Sequence, residues 1–393
     1  MSDNNSMQTS IPTLFMRGGS SRGPFFLASD LPADIATRDR VLLAVMGSPD
    51  KRQIDGLGGA NPLTSKVGIV SHGKTPGIAL DFLFAQLQPD KDTVDTTPNC
   101  GNMLAAVVPF ALERGLIEPQ GDTTTVRVLT LNTGMACDVT VQTPMTPSGR
   151  QVSYEGDARI DGVPGRSAPI TINFLDTAGS VCSGLLPTGR VLDEVTVEPN
   201  ELVGGFEPFT LQVTCIDNGM PLVMFCASDV GRTGYESVAT MNADTELKTR
   251  IDALRLKTGL MMGLGDVRAK NYPKMTLIAP PRNGGALCTR SFIPHVCHDA
   301  IGVLAAVTVG TACVLDGSIT QGIAIIPEGS PKTISVEHPT GEFSVELGLD
   351  PANPQNVTRA ALLRTARLIM RGEVMIPSAI WPNTHRNCER CNS

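Results

Sequence analysis

Cys100 lies between two asparagines in the segment 97–102, and a largely apolar run at 103–116 follows it. We predict a loop that leads into a helix, with Cys100 at the helix start. The backbone N–H groups of a first helical turn have no intrahelical acceptor and bear partial positive charge. Such a position favours a thiolate and attracts a substrate carboxylate. This stretch is therefore predicted to form half of an active site.

Lys66 is the second reactive side chain, and it lies in the apolar and small-residue segment 63–70, which is typical of a strand. A strand lysine most often lies on the solvated face, and the alternative is a lysine that faces a cleft and acts as a base. A thiol, a lysine and oxyanion-binding amides suit proton transfer without a cofactor. That chemistry needs a base, a stabilised enolate and an acid that returns the proton.

A polar, glycine-rich loop at 16–23 separates two short strands predicted at 11–15 and 24–27. One interpretation is a β-hairpin turn. The other is a carboxylate-binding loop, because glycine lets a ligand approach the backbone and arginine pairs with carboxylates through two N–H groups. The spacing alone leaves both open.

The second half of the chain repeats the plan of the first. A strand–turn–strand pattern at 211–227 matches that at 11–27, and the tetrapeptide Leu-Ala-Ala-Val at 104–107 recurs at 304–307, where we predict a second apolar helix that opens at 298–302. These repeats suggest an internal duplication. Two similar domains, each with a helix aimed at a shared cleft, would suit a small di- or tricarboxylate.

Composition and charge narrow the function classes. The 393 residues are enough for two domains, and the net charge of −7 argues against nucleic acid and anionic membranes as partners. The ten cysteines are scattered without a disulfide framework, which fits a reducing cytoplasm. The first ten residues lack the pattern of a signal peptide, and the apolar run at 300–315 is short for a membrane span. We predict a cytoplasmic protein.

Two motifs are interpreted as decoys. Residues 68–75 match the phosphate-loop pattern, but Pro76-Gly77 follows where that motif needs a helix, so we predict a turn. The cysteine and histidine clusters do not have the spacing of structural zinc sites, and we predict neither metal nor cofactor. These clusters comprise Cys288, His295, Cys297 and His298, and, in the tail, His385, Cys388 and Cys391.

Several segments together resemble those of the PrpF-like isomerases, over about residues 11–377. They are MRGGSSRG at 16–23, GSPD at 47–50, QIDGLGG at 53–59, LTSK at 63–66 and NCGN at 99–102. The resemblance implies an α/β (α+β) fold like that of diaminopimelate epimerase. That fold has two pseudo-symmetric domains, each a curled, mostly antiparallel sheet around a central helix, with the site between them.

The domain limits follow from this fold and from the turn-rich end of the first half. We predict a disordered arm at 1–10, an N-terminal domain at 11–189, a C-terminal domain at 190–377 and a disordered tail at 378–393. The last strands could cross back to the first domain.

Within the family, the segments 216–221, 263–267, 289–295 and 336–341 are most similar to the 4-oxalomesaconate branch. The resemblance implies a cofactor-independent isomerase that catalyses a 1,3-allylic proton shift on an unsaturated tricarboxylate, in the degradation of aromatic acids. A homodimer is possible. The alternatives are an aconitate or 2-methylaconitate isomerase, a racemase or epimerase, and a small-carboxylate binding protein.

The family's catalytic lysine and cysteine map onto Lys66 and Cys100, which we assign as base and proton-returning partner, with exchanged roles left open. Epimerase relatives use a second cysteine. Here Cys297 is out of register, since the 200-residue offset places Ala300 opposite Cys100, and this favours a lysine-assisted isomerase. The predicted substrate-binding residues are Arg17, Ser20, Ser21, Ser65, Asn99, Gly101, Asn102, Met220, Arg290, Ser291 and His298.

Overall fold

The computed structural model describes residues 7–175, 177–200 and 202–382. The chain divides into two compact units. The first comprises residues 1–172 and 364–393, and the second comprises residues 173–363. The division therefore falls 17 residues before the 189/190 boundary that the sequence suggests, and the last strand belongs to the first unit.

Short strands make up most of the first unit. They are β1 (Gln8–Gly18), β2 (Ser21–Leu27), β3 (Lys66–His72), β4 (Leu80–Leu87), β5 (Val94–Asp95), β6 (Thr123–Thr130), β7 (Met135–Gln142), β8 (Met145–Thr146) and β9 (Gly149–Arg150). The unit boundary lies within β10 (Ile170–Phe174). The second unit contains β11 (Asp193–Val197), β12 (Phe209–Asp217), β13 (Pro221–Cys226), β14 (Lys274–Ala279), β15 (Leu287–Phe292), β16 (Lys332–His338), β17 (Gly341–Asp350) and β18 (Asn353–Arg364). The final strand, β19 (Ala366–Pro377), pairs antiparallel with β1 in the first unit.

The pairing order is the same in the two units. In the first, β1–β2 is antiparallel, β2–β3 parallel, β3–β4 antiparallel, β4–β6 parallel and β6–β7 antiparallel. In the second, β12–β13, β13–β14, β14–β15, β15–β16 and β16–β17 alternate in the same sequence. The predicted α/β fold with two pseudo-symmetric, duplicated units is therefore confirmed.

Six α-helices also occupy matching places in the two units. They are α1 (Ile35–Met46), α2 (Gly101–Leu104), α3 (Val107–Glu113), α4 (Val238–Ala243), α5 (Thr245–Met261) and α6 (Val303–Val314). Asp34 caps α1 by accepting the Thr37 N–H at 2.8 Å, and Gly47 ends the helix in the left-handed region. Asp244 caps α5 in the same way. In α6, by contrast, apolar residues are buried on all sides, which marks a central helix.

The single helix predicted at 103–116 is wrong. Two short helices, α2 and α3, are separated at Ala105 and Ala106. The cause is Pro109, which has no N–H to donate to the Ala105 carbonyl and whose ring crowds that carbonyl. The equivalent position 200 residues later is Val309, and α6 is continuous.

The start of the second central helix also differs from the prediction at 298–302. Helix α6 begins at Val303, and Gly302 is its N-cap. Residues 298–301 instead form a loop: the His298 N–H donates to the Ser291 carbonyl, and the Ala300 N–H donates to His298 Nδ1. These bonds divert the backbone from helical pairing until Gly302.

The ends of the chain were predicted to be disordered. Strand β1 begins at Gln8 and pairs with Pro377, so residues 8–10 are ordered as a strand. Residues 1–6 and 383–393, including the tail cysteines Cys388 and Cys391, lie outside the described residues.

The phosphate-loop match forms strands, as the prediction of a turn implied. Gly68 lies inside β3, and β4 begins at Leu80 with no helix between them. In the described part of the chain, every helix falls short of the length and apolarity that a bilayer crossing requires. Within the same ranges, no three His, Cys, Asp or Glu side chains group together as a metal site would need.

Candidate active site

The structure brings Lys66 and Cys100 together in the first unit. Lys66 is the first residue of β3, Cys100 is the N-cap of α2, and Lys66 Nζ lies 3.4 Å from Cys100 Sγ. The same ammonium group donates to Ser21 Oγ at 3.0 Å. A thiol and an amine in direct contact can exchange a proton without an intervening water.

Lys66 is only 7% exposed, and its ammonium lies 5.7 Å from the centre of the Phe84 ring. Among the described residues, no carboxylate forms an ion pair with it. A buried lysine without a counterion is costly in a protein interior. Strand β3 therefore places this lysine where chemistry, and not solvation, accounts for its position.

The glycine-rich loop is a tight hairpin turn, because β1 and β2 continue as far as Gly18 and Ser21. The turn residue Ser20 accepts a hydrogen bond from Asn102 Nδ2 at 3.1 Å. A Cβ on Gly18 would lie 2.3 Å from the Asn102 carbonyl oxygen, and one on Gly19 would lie 2.2 Å from Asn102 Oδ1. Both glycines are thus required for the turn to contact α2.

Replacing Gly19 with alanine is expected to lower both the melting temperature and activity. The new methyl group overlaps Asn102, and Gly19 has φ of +53°, so we expect a cost of about 1–4 kcal/mol in unfolding free energy. Gly134→Ala is the matched control, since its φ is +70° but a Cβ there meets nothing within 4 Å. Equal losses for the two variants, measured by urea denaturation, would show that the contact with Asn102 is unimportant.

Arg17 is used by the turn itself. Its guanidinium donates to the Gly19 carbonyl at 2.9 Å, to the Thr365 carbonyl and hydroxyl at 3.1 and 2.9 Å, and to Ser167 Oγ at 3.3 Å. Burial, with a smaller contribution from Arg367, lowers the pKa of Arg17. The side chain that the sequence suggested for carboxylate binding therefore fixes the hairpin turn to β19.

Other predicted residues around Cys100 also have local partners. Ser65 is fully buried and donates to Gln53 Oε1 and to the Asn61 carbonyl, at 2.8 and 2.9 Å. Asn99 Oδ1 accepts the Cys100 N–H at 2.8 Å. Gly101 is buried as the first residue of α2. The N–H groups of α2 after Cys100 face the general lack of acceptors at a helix start.

The second unit holds the remaining predicted binding residues. Arg290 is 6% exposed and donates to the Glu236 and Thr289 carbonyls, each at 2.8 Å. Ser291 is buried in β15, with its hydroxyl 3.1 Å from that of Thr276. Both side chains are thus held inside the second unit by their own hydrogen bonds.

His298 and Met220 lie in loops of the second unit. The Ala300 N–H donates to His298 Nδ1 at 2.9 Å, which leaves Nε2 to hold the proton of the neutral ring. Met220 follows Gly219 in the β12–β13 turn, and its carbonyl accepts from the Thr308 hydroxyl at 3.1 Å. Thr308 lies on α6, so the turn is fixed to the central helix of this unit.

Cys297 is not an equivalent of Cys100. It is buried, and burial raises the pKa of its thiol to about 11, so the group stays protonated at neutral pH. By position in the fold, the counterpart of the N-cap Cys100 is the N-cap Gly302 of α6, and not Ala300 as the sequence offset suggested. The second unit thus has no thiol at this place, as the sequence prediction of a lysine-assisted reaction requires.

Lys274 is a residue that the sequence reasoning missed. It begins β14 as Lys66 begins β3, and each strand runs parallel to the second strand of its hairpin. A Cβ on Gly302 would lie 3.3 Å from Lys274 Nζ, so this lysine also faces a helix N-cap. Burial lowers its pKa, and no acceptor for it is found among the described residues. The shared strand-initial lysine was the signal in the sequence.

Comparison with known proteins gives consistent matches along the whole described chain. Residues 8–377 match the sequence model of the PrpF protein family. A (4E)-oxalomesaconate Delta-isomerase from Novosphingobium sp. is 54% identical, covering 93% of this chain and 98% of the relative. A 4-oxalomesaconate tautomerase from Pseudomonas putida is 51% identical, covering 95% and 98%. The crystal structure of a methylitaconate-delta-isomerase superposes with a TM-score of 0.80 at 32% identity, covering 95% and 97%.

Proposed function

Because the chain belongs to the PrpF family, we propose that it is an isomerase that shifts a proton along an allylic unit of 4-oxalomesaconate. The relatives with more than half of their residues identical are named for that substrate. The observation that supports the chemistry is the 3.4 Å contact between Lys66 Nζ and Cys100 Sγ. This pair supplies a base and an acid at one place.

The reaction starts from neutral Lys66 and a Cys100 thiol. Lys66 Nζ removes a proton from the carbon between a carboxylate or carbonyl group and the alkene, and becomes an ammonium ion. The electron pair spreads over a dienolate. Cys100 then gives its proton to the far end of the allylic unit and becomes a thiolate. Transfer of a proton from Lys66 to Cys100 across their contact restores both groups, so the cycle consumes nothing.

The groups around this pair would bind the substrate's negative charge. Ser21 holds the Lys66 ammonium at 3.0 Å, and Asn102 and Ser20 join the hairpin turn to α2. The N–H groups at the start of α2 have no intrahelical acceptor and suit an enolate or carboxylate oxygen. Arg17, Ser65 and Asn99 position these elements through their own hydrogen bonds. Met220, Arg290, Ser291 and His298 stay candidates for substrate binding.

A panel of unsaturated di- and tricarboxylates tests the substrate. We expect the largest kcat/KM for 4-oxalomesaconate, followed by ultraviolet absorbance, with deuterium from D2O appearing at the shifted position. Higher kcat/KM for aconitate, 2-methylaconitate or methylitaconate would replace the proposed substrate and keep the allylic shift. Tight binding of every acid with no isotope exchange would replace the enzyme with a carboxylate-binding protein.

We further propose that Lys274 binds a carboxylate group of the substrate. An ammonium beside a helix start puts two positive groups together, which an anion would stabilise. Lys274→Met should raise KM by about tenfold or more through the loss of a charge-assisted hydrogen bond, with kcat changed much less. Lys274→Arg should recover part of the loss. Lys257→Met, at an exposed lysine of the same unit, is the control; unchanged KM in Lys274→Met would contradict the assignment.

A further inference from the structure

Strand β19 lies at the edge of the first unit's sheet. It pairs with β1 from Gln8 opposite Pro377 to Gly18 opposite Ala366, and no other described strand shares a register with it. Its 12 residues make it long for an edge strand, and Pro377 at its end is its single proline. A long edge with free backbone groups is a template for pairing with another chain.

The side chains of β19 are also unusually exposed and apolar. Ile369, Met370 and Met375 are 46%, 42% and 46% exposed, whereas the opposing residues Phe15 and Leu14 of β1 are buried. Since neighbouring strand residues point to opposite faces, both faces of β19 present apolar groups. Exposed apolar side chains concentrated on a sheet edge mark an association surface.

The sequence of β19 is self-complementary about Gly372. In an antiparallel pair of two such strands related by a two-fold axis at Gly372, each residue faces the one equally far on the other side. Arg371 then faces Glu373, Met370 faces Val374, Ile369 faces Met375, and Leu368 faces Ile376. Every apolar residue meets an apolar residue, and the one charge pair consists of opposite charges.

We propose that β19 pairs antiparallel with β19 of a second copy of this chain, centred on Gly372. A second copy is the occupant that fits, because one two-fold axis satisfies both the charges and the apolar contacts. Shifting the register by one residue would break the match, since side chains would change faces.

The ion pairs that fix this register are accessible. The Arg371 side chain is 60% exposed although it contacts Glu113 of its own chain. A guanidinium has five N–H donors, so one contact leaves others for a partner. Glu373 is also exposed, and one of its oxygens accepts from Ser10 at 3.2 Å. Opposite charges facing each other across paired strands stabilise the pair, and like charges destabilise it.

Charge exchange tests the register. In Arg371→Glu, each of the two pairs becomes glutamate against glutamate, and in Glu373→Arg each becomes arginine against arginine. We expect each homodimer to dissociate about tenfold more readily, or more, than the wild type in sedimentation velocity. An equimolar mixture should form a heterodimer in native mass spectrometry, because both of its pairs again have opposite charges. Arg268→Glu, an exposed arginine in the second unit, is the control and should dimerise like the wild type.

Three outcomes would overturn the proposal. The wild type could sediment as a monomer at all concentrations, the single variants could dimerise as tightly as the wild type, or the mixture could fail to give heterodimers. Circular dichroism and melting temperature identify any variant that fails to fold. Because Arg371→Glu also loses the contact with Glu113, Glu373→Arg provides the variant free of that effect.

Discussion

Replacing Lys66 with methionine is expected to lower kcat by about 10²–10⁴-fold, because a positioned general base contributes a factor of that size. Methionine keeps the length of the side chain and removes the basic nitrogen, so the fold should be retained in a site that is already buried. The measurements are ultraviolet turnover and deuterium uptake into the substrate, both of which should fall together. Lys51→Met, at an exposed lysine of the same unit, controls for loss of a positive charge.

Chemical rescue separates a base from a structural ammonium. Lys66→Ala leaves a space beside Ser21 and Cys100 that a small primary amine can enter. Activity should return in part with added ethylamine, and it should increase with pH, since the neutral amine is the base and its fraction grows as pH approaches the amine's pKa. Near-wild-type turnover of Lys66→Met without any amine would disprove the mechanism.

Replacing Cys100 with serine has the second largest expected effect, a fall in kcat of about 10²–10³-fold. The hydroxyl can still accept from Lys66, but it is a much weaker acid than a thiol, so return of the proton to the far carbon is slowed. Removal of the first proton by Lys66 continues. Deuterium exchange should therefore exceed isomerisation in this variant, in contrast to the parallel loss in Lys66→Met.

The same comparison decides between the two possible assignments of roles. If Cys100 were the base, Cys100→Ser would lose exchange and turnover together, and the Lys66 variant would retain exchange. Cys226→Ser, a thiol on β13 whose pKa is raised to about 11 by burial and by Asp229, controls for the loss of any thiol. Its turnover should match that of the wild type.

Local sequence patterns were sufficient for the hairpin and for the two catalytic candidates. A glycine turn between apolar strands is encoded within a few residues, and Lys66 and Cys100 are noticeable by residue type in their segments. The helix after Cys100 was predicted as one element because its apolar run is continuous. Pro109 inside that run was the signal for the interruption, and it outweighs the apolar pattern because it removes a backbone donor.

Features that depend on distant contacts could not be read from local patterns. The loop at His298 is fixed by a bond to the Ser291 carbonyl on β15, which no helical periodicity reveals. Strand β19 is more than 350 residues from its partner β1, and its position defines the first unit. Lys274 becomes visible only when β3 and β14 are aligned by their pairing instead of by residue offset.

The shortness of α2 has a consequence for how the thiol is held. Four residues with one closing bond, from the Leu104 N–H to the Cys100 carbonyl at 3.0 Å, cannot be stable as an isolated helix. The conformation is imposed by the hairpin turn, through the close approach of Gly18 and Gly19 to Asn102. The turn and the residue at position 100 therefore form one cooperative unit in native-state openings. Any fluctuation that releases the turn also releases the acid from the base.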